Sequence, residues 1–452
     1  MKTIFITVFE GVEAKNILRT DILPALLEAR DIRLVLLTKN QEKIDFYKKE
    51  FNDPRLVYEA APYSRSMGKG FDRLFALLKF TLLRTKTTNL QRKLAYEAGG
   101  SFFKYYFGHL SNFLLARSFI RKAARSLDFL LVQNNTYSAI FEKYKPDLVF
   151  LAHLFEEPEI HILREAKKRG IKTIGFINSW DKTTVRCAIR LLPEKFVAFN
   201  DIVKKELIAY HDVKEENIFV GGLPQYDYYF DKRASAREEF FKKIKADPSK
   251  KLIVYAPIGS FFSVSDWDVI DLLHDLKSKG KFGKDAEMLV RFQPNDFIDE
   301  AELKKRPNLL FDYPGKRFSA NRGVDWDMDQ AELNHLKDTL YHMSLLICYA
   351  SSISIDAALF DKPVINIDFE FAKSAPLKSP TRFYKMEHYR NALSAGGIRL
   401  VMSESELIKW TNNYLTNPQL DQEGRRMLIL EQCKFLDGKS GERIGKFILA
   451  NL

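Results

Sequence analysis

Residues 345–370 read LLICYASSISIDAALFDKPVINIDFE. The run LLICYA is apolar without alternation, the pattern of a strand covered on both faces, and PVINID (363–368) repeats it. Between them Ala350-Ser351-Ser352 follows the first strand directly, and Asp356 falls one turn into the helix that comes next. A strand that opens into small hydroxyl residues at a helix start supplies unused backbone N–H groups, serine hydroxyls and the positive end of a helix dipole, which together suit a diphosphate. Asp356 is then placed to accept hydrogen bonds from ribose hydroxyls. Taken alone, the serines also read as an ordinary N-cap.

Working outward, the same strand-then-helix rhythm recurs at LIVYAP (252–257), EMLVRF (287–292) and NLLFDY (308–313). Earlier in the chain it appears at TIFITVF (3–9), IRLVLLT (32–38), DLVFLA (147–152), KTIGFI (172–177), KFVAF (195–199) and NIFVGG (217–222). Apolar strands alternating with helices predict α/β architecture with parallel sheets. A highly charged stretch, 231–251, separates the two sets, so the chain divides into 1–230 and 231–452, the second range ending in an amphipathic helix suited to pack back on either domain. A length of 452 residues suits two domains.

Composition narrows the function classes. With 46% hydrophobic and 29% charged residues the chain has the profile of a globular protein, not of a disordered or fibrous one. Cys187, Cys348 and Cys433 have neither zinc-ligand nor disulfide-framework spacing. The N-terminus reads as a first strand, and no stretch reaches the roughly 18 apolar residues of a membrane span, so a cytoplasmic protein is expected, with the inner membrane face as a possible docking surface. A net charge of +12 favours anionic partners. Much of it sits in 64–126, where thirteen Lys and Arg face only Asp72 and Glu97 and are interleaved with eleven Phe and Tyr. That segment reads either as basic amphipathic helices for an anionic membrane surface or as a helical insertion whose aromatic stripe is core. Nucleic-acid binding ranks below both, since no recognition motif accompanies the charge.

The 345–370 segment resembles the diphosphate-binding element of GT-B glycosyltransferases, of teichoic-acid-type (CDP-glycerol) polyol-phosphate transferases and of the non-hydrolysing nucleotide-sugar epimerases. Further segments resemble the same families in the same order. FNDIVKKELIAYHDVKEENIFVGGLPQYDYYF (199–230) is similar to the interdomain crossing that ends in G-x-P, here Gly222 and Pro224; VYAPIGS (254–260), with Gly259, to the first donor-domain strand and loop; LVRFQPND (289–296) to the R-x-H-P element; and FLDGKSGERIGKFIL (435–449) to a D-G-x-x-x-x-R-I ending. The resemblance implies two Rossmann-like parallel-sheet domains facing across a cleft, with the basic-aromatic helices inserted in the first and the nucleotide in the second. It implies donor-binding roles for Gly222, Pro224, Gly259, Arg291, Gln293, Ser351, Ser352, Asp356 and His388. Gln293 departs from the pattern: glutamine hydrogen-bonds phosphate but does not act as an acid or base near neutral pH. Arg291 is left as the phosphate ligand.

On the acceptor side, FLAHLFEEPEIHILREAKKRG (150–170) and INSWDKTTVR (177–186) follow parallel strands, at the end of the sheet where open α/β folds bind ligands. His153, Glu157 and Asp181 are candidate bases for an acceptor hydroxyl; Glu156, Glu157 and Glu159 around Pro158 also suit a helix start without any chemistry. Asp325-Trp326-Asp327 spells D-x-D in a turn-rich stretch, and no metal or other cofactor beyond a nucleotide-sugar co-substrate is expected. The reaction implied is metal-independent transfer of a sugar from a nucleotide diphosphate to a cell-envelope glycan or lipid-linked acceptor. Rival readings are a CDP-polyol-phosphate transferase, a nucleotide-sugar epimerase, and a non-enzymatic surface-binding protein on a GT-B frame.

Overall fold

The computed structural model describes the chain except for residues 232–233, 320–324 and 372–374. Two compact units emerge, one made of Met1–Tyr96, Gly100–Phe230 and Cys433–Leu452, the other of Glu97–Gly99 and Asp231–Gln432.

In the first unit, β1 (Lys2–Thr7), β2 (Ile32–Thr38), β3 (Leu56–Ala60), β4 (Leu148–Leu151), β5 (Lys172–Phe176), β6 (Lys195–Ala198) and β7 (Ile218–Val220) form one sheet in the order β3-β2-β1-β4-β5-β6-β7. Every neighbouring pair is parallel. The central strand β4 is buried at all four positions, which is why it reads as an unbroken apolar run. From β1 the chain steps outward to β3, then crosses back to start β4 on the other side, so the topological switch point lies between β1 and β4. Strand β3, LVYEA, was absent from the expected set because only its first residue is fully buried and its polar side chains hide the pattern.

The second unit repeats the device. Strands β8 (Lys251–Ala256), β9 (Ala286–Arg291), β10 (Phe311–Asp312), a separate antiparallel pair β11 (Lys316–Arg317) and β12 (Trp326–Asp327), then β13 (Leu345–Cys348), β14 (Val364–Ile367) and β15 (Arg399–Val401) give the sheet order β10-β9-β8-β13-β14-β15. The six are parallel. Ile253, Tyr255, Val290, Ile347 and Ile365 form the heart of its core. The switch point here lies between β8 and β13, and the stretch that decides the fold in the sequence is the β13–helix–β14 crossover.

One boundary is corrected. The terminal helix Ser440–Ala450, assigned on sequence to the second domain, groups with the first unit and packs on the helix Ile22–Leu27. Glycines permit this approach: a Cβ on Gly441 would stand 2.8 Å from the Asp21 nitrogen, and one on Gly445 2.6 Å from the Ala25 Cβ.

Candidate functional site

In an open parallel sheet the loops leaving the carboxyl ends of the two strands that flank the switch point splay apart and leave a ligand crevice. In the second unit these are the loops after β8 and β13. After β8, Gly259 takes φ +94°, and the N–H groups of Ile258 and Gly259 turn inward to donate to the Asp266 carboxylate at 3.2 and 2.7 Å. Tyr255 Oη donates to the same carboxylate. Burial pushes Asp266 up to about 6 despite those bonds. Next, Ser260 donates through both its N–H and its hydroxyl to Asp296, at 2.8 and 3.0 Å, which fixes the loop tip.

After β13, the Ser351 N–H donates to Tyr389 Oη at 3.2 Å, and Tyr389 in turn donates to Asn366 at the end of β14. Ser351 is half-buried and Ser352 exposed at the N-cap of the helix Ile353–Leu359, with no side-chain capping bond. The resemblance implied a donor-binding role for His388; in the structure His388 and its neighbour Tyr389 are both buried, and Tyr389 is the residue that ties the β13 loop to β14. Asp356, placed on sequence toward ribose, is buried as well.

Arg291 and Gln293 leave β9, one strand away from the switch point. Arg291 is 5% exposed and its Nη1 lies 3.0 Å from Asp312, which also takes His335 at 2.9 Å. Burial works to raise Asp312, but His335 and Arg291 outweigh it and hold the carboxyl down. Arg291 is thus part of a buried ion pair. Gln293 donates from Nε2 to the Ile258 carbonyl at 2.6 Å, so its amide braces the β8 loop. Of the D-x-D residues, Asp325 takes φ +61° and Asp327, fully buried in β12, accepts the Met328 N–H.

In the first unit the corresponding loops follow β1 and β4. Glu13 lies on the helix Gly11–Ile17 after β1 and accepts the N–H groups of Phe9 and Glu10 at 2.6 and 3.1 Å. Glu159 lies in the first turn of the helix Glu157–Lys168 after β4, and its Oε2 is buried without a hydrogen-bond partner. Burial, then the Glu10 charge, raises Glu13 to about 8; burial, then Glu13, raises Glu159 well above the carboxylate range. Two protonatable carboxyls therefore stand at this switch point. Sequence reasoning missed Glu13, whose only signal was its place just after the first strand in VFEGVEA.

His153 begins the β4 loop. Its Nδ1 accepts the Phe155 N–H at 3.1 Å, and its Nε2 lies 2.8 Å from Lys182 Nζ. Burial, then the Arg186 charge, lowers Lys182 from its ordinary value. Burial and Lys182 together push His153 well below its ordinary value, which makes it a poor base. Asp181, after β5, is half-buried at the start of the short helix Lys182–Val185 and accepts from the Ser179 hydroxyl.

Glu157 has a different fate. Its two oxygens meet Lys79 at 2.7 Å and Arg190 at 2.6 Å, and Arg190 also reaches Asp72 and Asp128. Asp72, Glu157 and His161 converge closely enough to hold a metal ion. Lys79 and Arg190 already supply positive charge to that cluster, which opposes a further cation there. Gly222 takes φ +90°, and a Cβ on it would meet Ser440 Oγ at 2.3 Å; Pro224 opens the short 3-10 helix Pro224–Tyr226. Both lie where the terminal helix docks. Arg443 of the D-G-x-x-x-x-R-I ending donates to the Gly221 carbonyl and to Asp437, and Gly441 N–H donates to Asp227 at 2.6 Å. That ending is a clasp on the G-G-L-P crossing.

The profile of the family "CDP-Glycerol:Poly(glycerophosphate) glycerophosphotransferase" matches residues 178–450. The chain belongs to that family. Among curated proteins, the teichoic acid ribitol-phosphate polymerase TarL of Staphylococcus aureus is 23% identical over 238 residues, 51% of this chain and 37% of the relative. The chain thus aligns with little more than a third of that relative's length. Among solved structures, the UDP-GlcNAc 2-epimerase of Neisseria meningitidis bound to UDP-GlcNAc is similar over 100% of this chain and 99% of its own, with a TM-score of 0.57 at 12% identity. The wall teichoic acid polymerase TagF soaked with CDPG covers 100% and 88%, with a TM-score of 0.50 at 13% identity. These structural likenesses support the GT-B type of fold expected from the sequence.

Proposed function

We propose that this chain transfers a sugar from a nucleotide-diphosphate donor to a hydroxyl of a cell-envelope polymer or lipid-linked glycan. The observation that carries the reading is Gln293. Where the polyol-phosphate transferases have a histidine, this chain has an amide hydrogen-bonded to the Ile258 carbonyl, which braces a loop and moves no proton near neutral pH. The acceptor proton then falls to the first unit, where Asp181 is the candidate base; burial drives Glu13 and Glu159 toward their protonated forms, so they stand as acids at the β1–β4 switch point. His153 positions Lys182 and does not take the proton. On the second unit, the Ser352 N–H and the hydroxyls of Ser351 and Ser352 hold the donor's diphosphate, with Gly259 giving the backbone room to approach it. The protein's own dipoles stabilise the departing diphosphate, so the reaction needs no metal ion.

A second reading, transfer of a polyol phosphate from a CDP-linked donor, is favoured by the family match itself and by the polymerases among the similar proteins. The donor class is tested by thermal shift of the full chain with UDP, GDP, CDP and dTDP against CMP. A nucleoside diphosphate should raise the melting temperature, and Ser351→Ala with Ser352→Ala should remove most of the rise. An undiminished rise in the double variant takes these serines out of the site.

A further inference from the structure

Where the helices Gly70–Thr81 and Ser118–Leu131 pack against the segment 188–190, the first unit holds a small cavity of about 20 Å³. Four cations line it, Lys79, Arg121, Arg125 and Arg190, and Asp128 is the one carboxylate among the described residues that do so. Lys79, Arg121 and Arg190 are buried, and the Arg125 side chain is 12% exposed. The charges around the cavity fall into two groups. Lys79, Arg164 and Arg190 are matched by Asp72, Asp128 and Glu157 through contacts of 2.5 to 2.7 Å, three cations to three carboxylates. Arg121 and Arg125, by contrast, share the single carboxylate of Asp212, at 2.6 and 2.8 Å. One positive charge is left over. Arg125 shows where it lies: its Nε donates to the Ile189 carbonyl at 3.1 Å and its Nη1 to Asp212, while its Nη2 is buried with no hydrogen-bond partner among the described residues. Burial outweighs Asp212 and pulls the Arg125 guanidinium below its ordinary pKa, so its charge is under-compensated.

We infer that this cavity binds one small monovalent anion of the halide class, held by Arg125 Nη2 and by the charge that Arg121 and Arg125 leave unmatched. A buried cation with an unmet donor is costly, and folded proteins keep few of them. The size of the cavity selects the ligand: it exceeds the roughly 10–15 Å³ that a single water occupies, so a one-atom anion fits, whereas phosphate or sulfate would bring five heavy atoms. The surplus of one positive charge sets the valence at one. Phe75, Leu82 and Ala124 supply apolar walls, which suit a halide better than a water, since a buried water needs two to four polar partners. A water would also accept from Arg125 without cancelling its charge. The anion would tie both helices to the segment 188–190, so its binding favours the folded state.

The test is thermal unfolding of the full chain as potassium gluconate, whose anion is too large for the cavity, is replaced by potassium chloride or bromide at fixed ionic strength. The melting temperature should rise with either halide and reach a plateau about 2 °C or more above its value in gluconate. Arg125→Gln removes the surplus charge and leaves Asp212 paired with Arg121, so the rise should be absent in this variant. Crystals of the wild type grown in bromide should show an anomalous-scattering peak in the cavity, in contact with Arg125 Nη2, and this measurement decides alone if the variant does not fold. The inference is overturned if the melting temperature is the same in halide and gluconate or rises without a plateau. It is equally overturned if Arg125→Gln keeps the rise, or if the bromide crystals show no anomalous peak in the cavity, which would make its occupant a water.

Discussion

Glu157 and Glu159 sit two positions apart at one helix start, and the fold gives them opposite work. Glu157 is locked between Lys79 and Arg190, whereas Glu159 Oε2 is buried without a partner next to a second protonatable carboxyl. Glu157→Gln should therefore cost stability, about 3–5 kcal/mol, because it leaves buried cations uncompensated. Asp181→Asn should lower turnover about a hundredfold or more and leave nucleotide affinity nearly unchanged; a near-normal rate in this variant would take Asp181 out of the base's role. Glu13 supplies a pH signature. Its carboxyl has a folded pKa of about 8 against an ordinary 4.5, so the folded state holds a proton that the unfolded state has lost between those values. The stability this contributes is full below about pH 4.5 and is lost as pH rises through about 8, with a slope of up to about 1.4 kcal/mol per pH unit. Glu13→Gln should flatten that slope in denaturant titrations. An unchanged slope would mean that Glu13 ionises at its ordinary pKa.

At the level of elements, the strands that sequence revealed are the ones buried on both faces. TIFITVF, IRLVLLT and LLICYA could hardly be anything else, while β3 and the three-residue β15, RLV, lie at sheet edges where half the side chains are wet and the pattern fades. NLLFDY shrank to the two residues of β10 for the same reason. The candidate site was legible in part. His153, Gly259, Ser351 and Ser352 stand beside switch points, and the parallel sheets follow from strands alternating with helices. What was not legible depends on long-range pairing: Lys79 reaches Glu157 across 78 positions, and Asp312 reaches Arg291 through a sheet register. Burial-driven pKa shifts are invisible for the same reason. The tail motif, read by resemblance, acquires a physical role as a clasp, and this too is testable. Gly222→Ala combines a positive φ with a contact at 2.3 Å, whereas Gly170→Ala has φ +67° and open space. The first should cost about 1–3 kcal/mol more than backbone strain alone. Equal melting temperatures for the two variants would show that the terminal helix yields at no cost.

Across the whole molecule, two sheets each offer a switch-point crevice, one lined by backbone donors and serines and the other by protonatable carboxyls. That contrast in chemistry is what the proposed division of labour rests on. Activity should survive excess EDTA, since the backbone donors and hydroxyls of the second unit are proposed to meet the leaving charge; loss restored by magnesium or manganese would contradict that mechanism. The transferred group itself decides between sugar and polyol phosphate, because the two reactions break different bonds. Sugar transfer cleaves the bond between the sugar and the diphosphate and frees a nucleoside diphosphate. Polyol-phosphate transfer cleaves the phosphoanhydride and frees a nucleoside monophosphate. The most direct measurement is therefore the identity of the nucleotide released when the full chain is incubated with an acceptor polymer and a panel of nucleotide sugars and CDP-polyols. A nucleoside diphosphate, released in step with labelling of the polymer, is the predicted result; CMP released from a CDP-polyol, with every nucleotide sugar left intact, would contradict the account.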